Sequence, residues 1–258
     1  MAGTMGVPCW MDLLTSDVAR AREFYGRVFG WTAGEAAAEF GGYFMFMADG
    51  APVAGGMPIM PGMDFASDAW GVYLTSPDAQ ATLAGATARG ATVRVPAMAI
   101  ADLGTQAVID DPYGARTGIW QPEAFAGFGL IGTGRSGTPA WFELHTRDYK
   151  PSIAFYRDAF GWAPKVVSDT PGFRLTAIED DRQAVAGIMD ATGYLPAGEG
   201  PRWDIYISVD DTDKTLALAA DLGGQVTREG TDTPFGRLGG ATDPMGARFM
   251  VVSGGNAG

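Results

Sequence analysis

Glu143 and His145 stand two residues apart in the run Trp141 to Thr146, and His145 is the only histidine in the 258-residue chain. Side chains alternate along a strand, so residues two apart share a face. A carboxylate beside an imidazole is an acid–base pair, able to give and take a proton near neutral pH. About 131 positions earlier the chain carries a second version of the stretch, the kind of self-similarity that marks a structural repeat. Trp10, Leu13, Thr15 and Asp17 correspond to Trp141, Leu144, Thr146 and Asp148, and Asp12 corresponds to Glu143. Leu14 stands where His145 would be, so the two copies differ in chemistry. Asp204, in the strand-like run from Trp203 to Ile207, is a further carboxylate of the same parity.

The elements that must hold these groups are legible from period and punctuation. Pro8 to Leu14 reads as a strand with Cys9, Met11 and Leu13 on its helix-facing side and Trp10, Asp12 and Leu14 on the other. Asp17 is placed to cap a helix whose Ala21, Phe24, Tyr25, Val28 and Phe29 recur at helical spacing. Gly30 closes that helix before Trp31. The second copy runs through Phe155-Tyr156 to Phe160-Gly161-Trp162. Core packing accounts for both Phe-Tyr pairs. Strands are expected over Glu39 to Ala48 and Ala51 to Met57, and Pro58 to Asp64 reads as a loop. A second unit follows, with a strand from Trp70 to Leu74, a helix from Ala79 to Arg89, strands around Thr92 to Pro96, Gln106 to Asp110 and Arg116 to Trp120. Its turn is Asp111-Pro112-Tyr113-Gly114, and Asp243-Pro244-Met245-Gly246 repeats it in the second half. A helix from Thr212 to Leu222 precedes that second turn. Glycines at 127, 129, 132, 134 and 137 mark a linker, with Phe125, Phe128, Leu130 and Ile131 to hold it against the protein.

Composition excludes several classes. A formal net charge of −12 would repel a phosphate backbone, so no nucleic-acid partner is expected. No apolar run approaches the roughly 18 residues of a transmembrane helix, and Met1 to Pro8 lacks a secretory pattern. With Cys9 as the only cysteine, no intrachain disulfide can form, which fits a cytoplasmic protein, monomer or homodimer.

The strand–Asp–helix–Phe-Tyr–Phe-Gly-Trp pattern, present twice, and the Asp-Pro-x-Gly turn near each half's end resemble the vicinal oxygen chelate superfamily of glyoxalases, bleomycin-resistance proteins and ring-cleaving dioxygenases. The resemblance implies an α+β fold of four βαβββ modules, forming two glyoxalase-like domains with cup-shaped mixed sheets and helices outside. The domains would span 1–124 and 140–258, with 125–139 as linker. Modules would pair one with two and three with four, or one with four and two with three. The resemblance is strongest to the two-domain branch found in bacterial antibiotic biosynthesis. Metal-using relatives draw His, Glu or Gln ligands from the first and last strands of each module. The corresponding positions here are Trp10, Gly71, Gly118, Trp141, Asp204 and Met250, of which only Asp204 suits a hard cation. No metal or other cofactor is therefore expected.

Strand parity instead lines the cups with Trp10, Trp141, Tyr73, Tyr206, Trp120 and Met250, a setting for a flat aromatic small molecule. Glu143 with His145, and Asp12 with Asp204, are the candidate catalytic groups, and Tyr73 and Tyr206 the candidate hydrogen-bond donors. A structural alternative pairs the inward carboxylates with Arg116 or Arg248, with the tryptophans as core filler. The expected function is metal-independent proton-transfer chemistry on a polyketide- or quinone-like compound, or help to its hydroxylation. The alternatives are sequestration of an aromatic antibiotic, a partner-binding accessory role, and a metal-dependent glyoxalase or dioxygenase.

Overall fold

Asp17 does what its position requires: its carboxylate accepts from the backbone N–H of Arg20 at 2.9 Å, fixing the start of the first helix, an interaction that typically contributes about 1 kcal/mol. Gly30, with φ at 72°, ends that helix in the left-handed conformation. The computed structural model describes residues 4–63, 67–179 and 184–254. Of the loop expected over Pro58 to Asp64, Asp64 lies outside the described residues.

Among the described residues, four α-helices and sixteen strands follow one another as β1 (Pro8–Thr15), α1 (Val18–Phe29), β2 (Thr32–Ala33), β3 (Phe44–Ala48) and β4 (Ala51–Pro58); β5 (Ala69–Thr75), α2 (Ala79–Thr87), β6 (Thr92–Ile100), β7 (Gly104–Asp110) and β8 (Arg116–Pro122); β9 (Pro139–Thr146), α3 (Tyr149–Phe160), β10 (Lys165–Thr170), β11 (Phe173–Glu179) and β12 (Ala184–Asp190); then β13 (Arg202–Ser208), α4 (Thr212–Asp221), β14 (Gln225–Thr233), β15 (Gly236–Thr242) and β16 (Arg248–Ser253). Each group is a βαβββ module. The strands form two mixed eight-stranded sheets, ordered β2-β3-β4-β1-β5-β8-β7-β6 and β10-β11-β12-β9-β13-β16-β15-β14. The strand expected from Glu39 begins only at Phe44. Ala38–Phe40 is a short 3-10 turn, and Gly41 and Gly42 follow at φ 66° and 83°, outside the range a strand residue adopts. The aromatic alternation that suggested a strand is real only beyond them.

The chain divides by contact into two compact units, Met1–Cys9 with Val72–Gly127 and Phe142–Trp203, and Trp10–Gly71 with Phe128–Trp141 and Asp204–Gly258. The second and third modules thus share one unit, and the first and fourth share the other.

Each unit is cross-tied by residues of the two recurring motifs. In the unit of the first and fourth modules, Tyr25 donates its phenol proton to Asp243 at 3.1 Å and accepts from the Trp70 indole at 3.0 Å. The other oxygen of Asp243 accepts from the backbone N–H groups of Met245 and Ala247, both at 2.9 Å. Tyr25 is fully enclosed, edge-on to Phe46, Trp70 and Phe249. In the other unit Tyr156 donates to Asp111 at 3.2 Å, while Thr117 relays between the Trp203 indole and the Tyr156 oxygen at 3.0 and 2.8 Å. Asp111 likewise takes the backbone N–H groups of Tyr113 and Ala115. So the tyrosine of one module's helix is bonded to the aspartate of its partner module's turn.

Burial pushes both phenols well above their usual range, so they are protonated donors at neutral pH. Burial also raises the carboxyls of Asp243 and Asp111, and the N–H groups of their own turns pull them back down. A carboxyl raised in the folded state costs stability while ionised, and that cost disappears as pH falls through the folded value toward the unfolded one. Tyr25→Phe should lower unfolding free energy by about 1–3 kcal/mol, because it strips a buried carboxylate of a donor and an indole of its acceptor. The loss should shrink on acidification through the Asp243 titration, where the protonated carboxyl depends less on the phenol. Urea titrations at several pH values read both effects, and an unchanged midpoint near neutrality would contradict the assignment.

Candidate active site

β9 runs parallel to β12, with Gly187 opposite Glu143 and Met189 opposite His145. Gly187 contributes no side chain beside the carboxylate. The i, i+2 spacing brings the two groups together as the sequence predicts: His145 Nε2 stands 2.9 Å from Glu143 Oε1, in a bent contact at ion-pair distance. Both residues are buried, 5% exposed for Glu143 and 7% for His145.

The opposite ring nitrogen reaches a residue that strand parity could not reveal. His145 Nδ1 lies 2.6 Å from the hydroxyl of Tyr194, with the two rings edge-on at 5.7 Å between centroids. In the neutral tautomer that carries its hydrogen on Nε2, the lone pair lies on Nδ1, where the phenol can donate. Tyr194 belongs to the loop after β12 and is 51% exposed.

That loop is fastened at its base. The backbone N–H of Ala191 donates to Thr146 at 2.8 Å, and those of Tyr194 and Leu195 donate to the Ala191 carbonyl at 3.2 and 3.0 Å. The Arg147 guanidinium, one residue beyond β9, donates to the carbonyls of Leu195, Pro196 and Glu199, each at 2.7 Å. Charge-assisted bonds of this kind are stronger than neutral ones. Leu195 is buried beneath the loop, leaving its neighbour Tyr194 turned outward. Arg147 thereby positions the phenol over the imidazole.

Asp12, the counterpart of Glu143, meets a different set. Tyr43 donates to its Oδ1 at 2.6 Å, and the Trp10 indole N–H lies 2.8 Å from the same oxygen and 2.7 Å from the Tyr43 hydroxyl. Gly55 is its register partner on β4, and a Cβ there would run into both the Tyr43 hydroxyl and the carboxylate. The Trp10 ring lies 5.4 Å from that of Phe128. Tyr43 sits just before β3, after the two glycines that keep the strand from starting earlier.

The remaining expected site residues divide between the units. Tyr73 and Trp120 lie with Glu143 and His145. Tyr73 pairs in register with Gly118, and its ring fills the space a side chain at 118 would need. Trp120 donates its indole N–H to the Phe125 carbonyl at 2.9 Å. Trp141, Asp204, Tyr206 and Met250 belong to the unit of Trp10 and Asp12. Tyr206 and Met250 are register partners, and Asp204 is buried at 5% exposure. Arg116, a proposed counter-ion for the inward carboxylates, is bound to Asp110 at 2.9 Å.

A divalent metal of the kind carried by glyoxalases does not fit these positions. Among the described residues no three His, Cys, Asp or Glu side chains come together as a ligand group. At the metal-ligand positions themselves, Trp10 offers a donor N–H, and the Tyr73 ring covers Gly118. A catalytic cation needs at least three oxygen, nitrogen or sulfur ligands. A cavity of about 390 Å³ opens at the start of α3, lined by Arg147, Asp190, Thr192 and Arg174, the last of which bonds Asp190 and Asp169. No helix among the described residues is long and apolar enough to cross a membrane.

Comparison with known proteins agrees with this architecture. The family model described as Glyoxalase/Bleomycin resistance protein/Dioxygenase superfamily matches residues 138–251. The putative glyoxylase CFP32 of Mycobacterium tuberculosis is 34% identical over 251 residues, covering 96% of this chain and 94% of the relative. The anthracycline biosynthesis protein DauV of Streptomyces sp. (strain C5) is 35% identical over 264 residues, 96% of this chain and 93% of the relative. A Mn(II)-bound glyoxalase from Novosphingobium aromaticivorans superposes with a TM-score of 0.64 at 17% identity, over 97% of this chain and 83% of that one. BphC, a halotolerant catechol dioxygenase, gives 0.65 at 16% identity, over 98% and 88%. At such identities these structures speak for the fold alone.

Arg147→Ala should speed hydrogen exchange of the Leu195 amide by about tenfold or more, since it removes charge-assisted bonds that hold the loop closed. Exchange unchanged from the parent would mean that the loop holds itself and that Arg147 has no positioning role.

Proposed function

The chain belongs to the glyoxalase/bleomycin resistance protein/dioxygenase superfamily, and within it we propose a metal-independent protein that moves protons on an aromatic, polyketide- or quinone-like compound. The observation that carries the proposal is the buried contact between Glu143 and His145. His145 exchanges the proton, and Glu143 orients the ring and stabilises its charged form. Tyr73 and Trp120 lie in the same unit as the pair and serve the ligand as a hydrogen-bond donor and an aromatic wall. Cyclisation, dehydration, isomerisation and assistance to a hydroxylation all require such a proton transfer next to a ring carbonyl. The relative whose name places it in anthracycline biosynthesis supports an aromatic polyketide as ligand class. The donor set supports metal independence, since the positions where relatives would hold a cation carry indoles, glycines and a thioether apart from Asp204.

In the other unit, the bonds from Tyr43 and Trp10 to Asp12 favour a binding role. There Asp12 anchors the Trp10 ring as a stacking surface, with Trp141, Tyr206 and Met250 as further apolar lining and Asp204 as the polar contact. If that unit alone acts, the protein sequesters an aromatic compound and releases it unaltered.

Anthrone separates these readings, because its C10 methylene exchanges hydrogen through the anthranol form. In deuterated buffer the protein should accelerate C10 exchange, read by mass spectrometry, and Glu143→Gln should reduce that acceleration about a hundredfold. Anthrone affinity, read by tryptophan quenching, should change less than about threefold, since the variant keeps size and hydrogen bonding. Full acceleration in Glu143→Gln would remove the acid–base assignment. Tight binding with exchange no faster than in buffer would leave sequestration as the function.

A further inference from the structure

Glu143 and His145 are nearly sealed from solvent, and a substrate needs a group it can touch. The geometry points to Tyr194 as that group: we infer that its phenol is the catalytic acid–base that meets the substrate, with His145 behind it as its proton partner and Glu143 as the counter-ion of that imidazole. This rests on the acid–base pair proposed above and adds to it the residue that delivers the chemistry. Tyr194 is 51% exposed, against 7% for His145 and 5% for Glu143, yet its hydroxyl is held 2.6 Å from Nδ1. Oxygen, imidazole and carboxylate therefore form one continuous line of contacts from the surface inward, 2.6 Å and then 2.9 Å. The bonds from Arg147 to the loop carbonyls keep the outer end of that line in place.

A phenol alone is too weak an acid to yield a useful base at neutral pH. A neighbouring imidazole oriented by a carboxylate changes this, as it does for a serine or cysteine nucleophile. The phenol proton passes to His145 Nδ1, and the imidazolium that forms is balanced by the Glu143 carboxylate 2.9 Å from Nε2. The phenolate oxygen takes the proton of an acidic carbon beside a ring carbonyl, and the bonding pair of that C–H bond becomes the enolate. The phenol is restored, and His145 carries the proton as an imidazolium beside the Glu143 carboxylate. Reversal of the same transfers returns the proton to another atom of the substrate and completes an isomerisation without oxidant or reductant. The substrate class is thus an aromatic ketone with an enolisable carbon, presented at the loop after β12.

Two readouts test the assignment. Tyr194→Phe should lower the acceleration of anthrone C10 exchange about a hundredfold, as the loss of a general acid–base does, with anthrone affinity within about threefold of the parent. Half of the side chain is exposed, so the variant should fold. Because His145 is the only histidine, the ring nitrogen spectrum of labelled protein reads one imidazole. The Nδ1 resonance should move in Tyr194→Phe toward that of an unbonded lone pair. If Tyr194→Phe keeps full exchange while Glu143→Gln loses it, the inference about Tyr194 falls and the acid–base pair stands. If Glu143→Gln keeps full exchange, or the parent shows none, both fall together. An Nδ1 resonance unmoved in Tyr194→Phe would overturn the proton partnership whatever the rates.

Discussion

The buried bond between a helix tyrosine and a turn aspartate is the constraint on which the rest of the structure depends. Tyr25 with Asp243, and Tyr156 with Asp111, each join a motif of one module to a motif of another. A phenol and a carboxylate enclosed together are strongly selective, because either one left alone would be a buried polar group without a partner. The aspartate also accepts the N–H groups of its own turn, so turn geometry and module pairing are fixed by one side chain. This pairing assigns the first module to the fourth and the second to the third. It therefore decides that Glu143 and His145 share a unit with Tyr73 and Trp120, whereas Asp12 shares one with Asp204, Tyr206 and Met250.

Two equivalent carboxylates have diverged on that frame. Glu143 faces a glycine across the sheet and has an imidazole two residues on, which in turn reaches a phenol. Asp12 also faces a glycine, but a phenol and an indole occupy the room it leaves. Leu14 at the place of His145 leaves no imidazole there. The replacement of one residue type thus divides a carboxylate beside an imidazole from a carboxylate held by a phenol and an indole. The same glycine-for-space logic recurs at Gly118, where the Tyr73 ring lies over the vacant side-chain position.

Local chemistry made much of this legible in the sequence. Strand period put Glu143 and His145 on one face, and capping chemistry set the ends of α1 through Asp17 and Gly30. The two Asp-Pro-x-Gly turns are formed, with backbone bonds from Gly114 to Asp111 and Gly246 to Asp243. What escaped depended on contacts that have no period. Tyr194 lies in a loop, and nothing near it in sequence announces the histidine 49 positions away. Arg147 reads as an ordinary exposed charge until the loop carbonyls are in place around it. The Glu39 to Tyr43 segment lost its strand to two glycines with positive φ. Module pairing was open because both motifs occur in both halves, and only the bond between them says which copies meet.

On the mechanism proposed, side chains alone move the proton, without the divalent cation that the same fold holds in a Mn(II)-bound glyoxalase. The most direct test of that mechanism is native mass spectrometry of the purified protein, with the denatured mass as reference. The native mass should equal that of the chain, alone or with a retained organic molecule. One divalent metal per chain, surviving gentle desolvation and lost on denaturation, would contradict it and return the protein to metal-dependent chemistry.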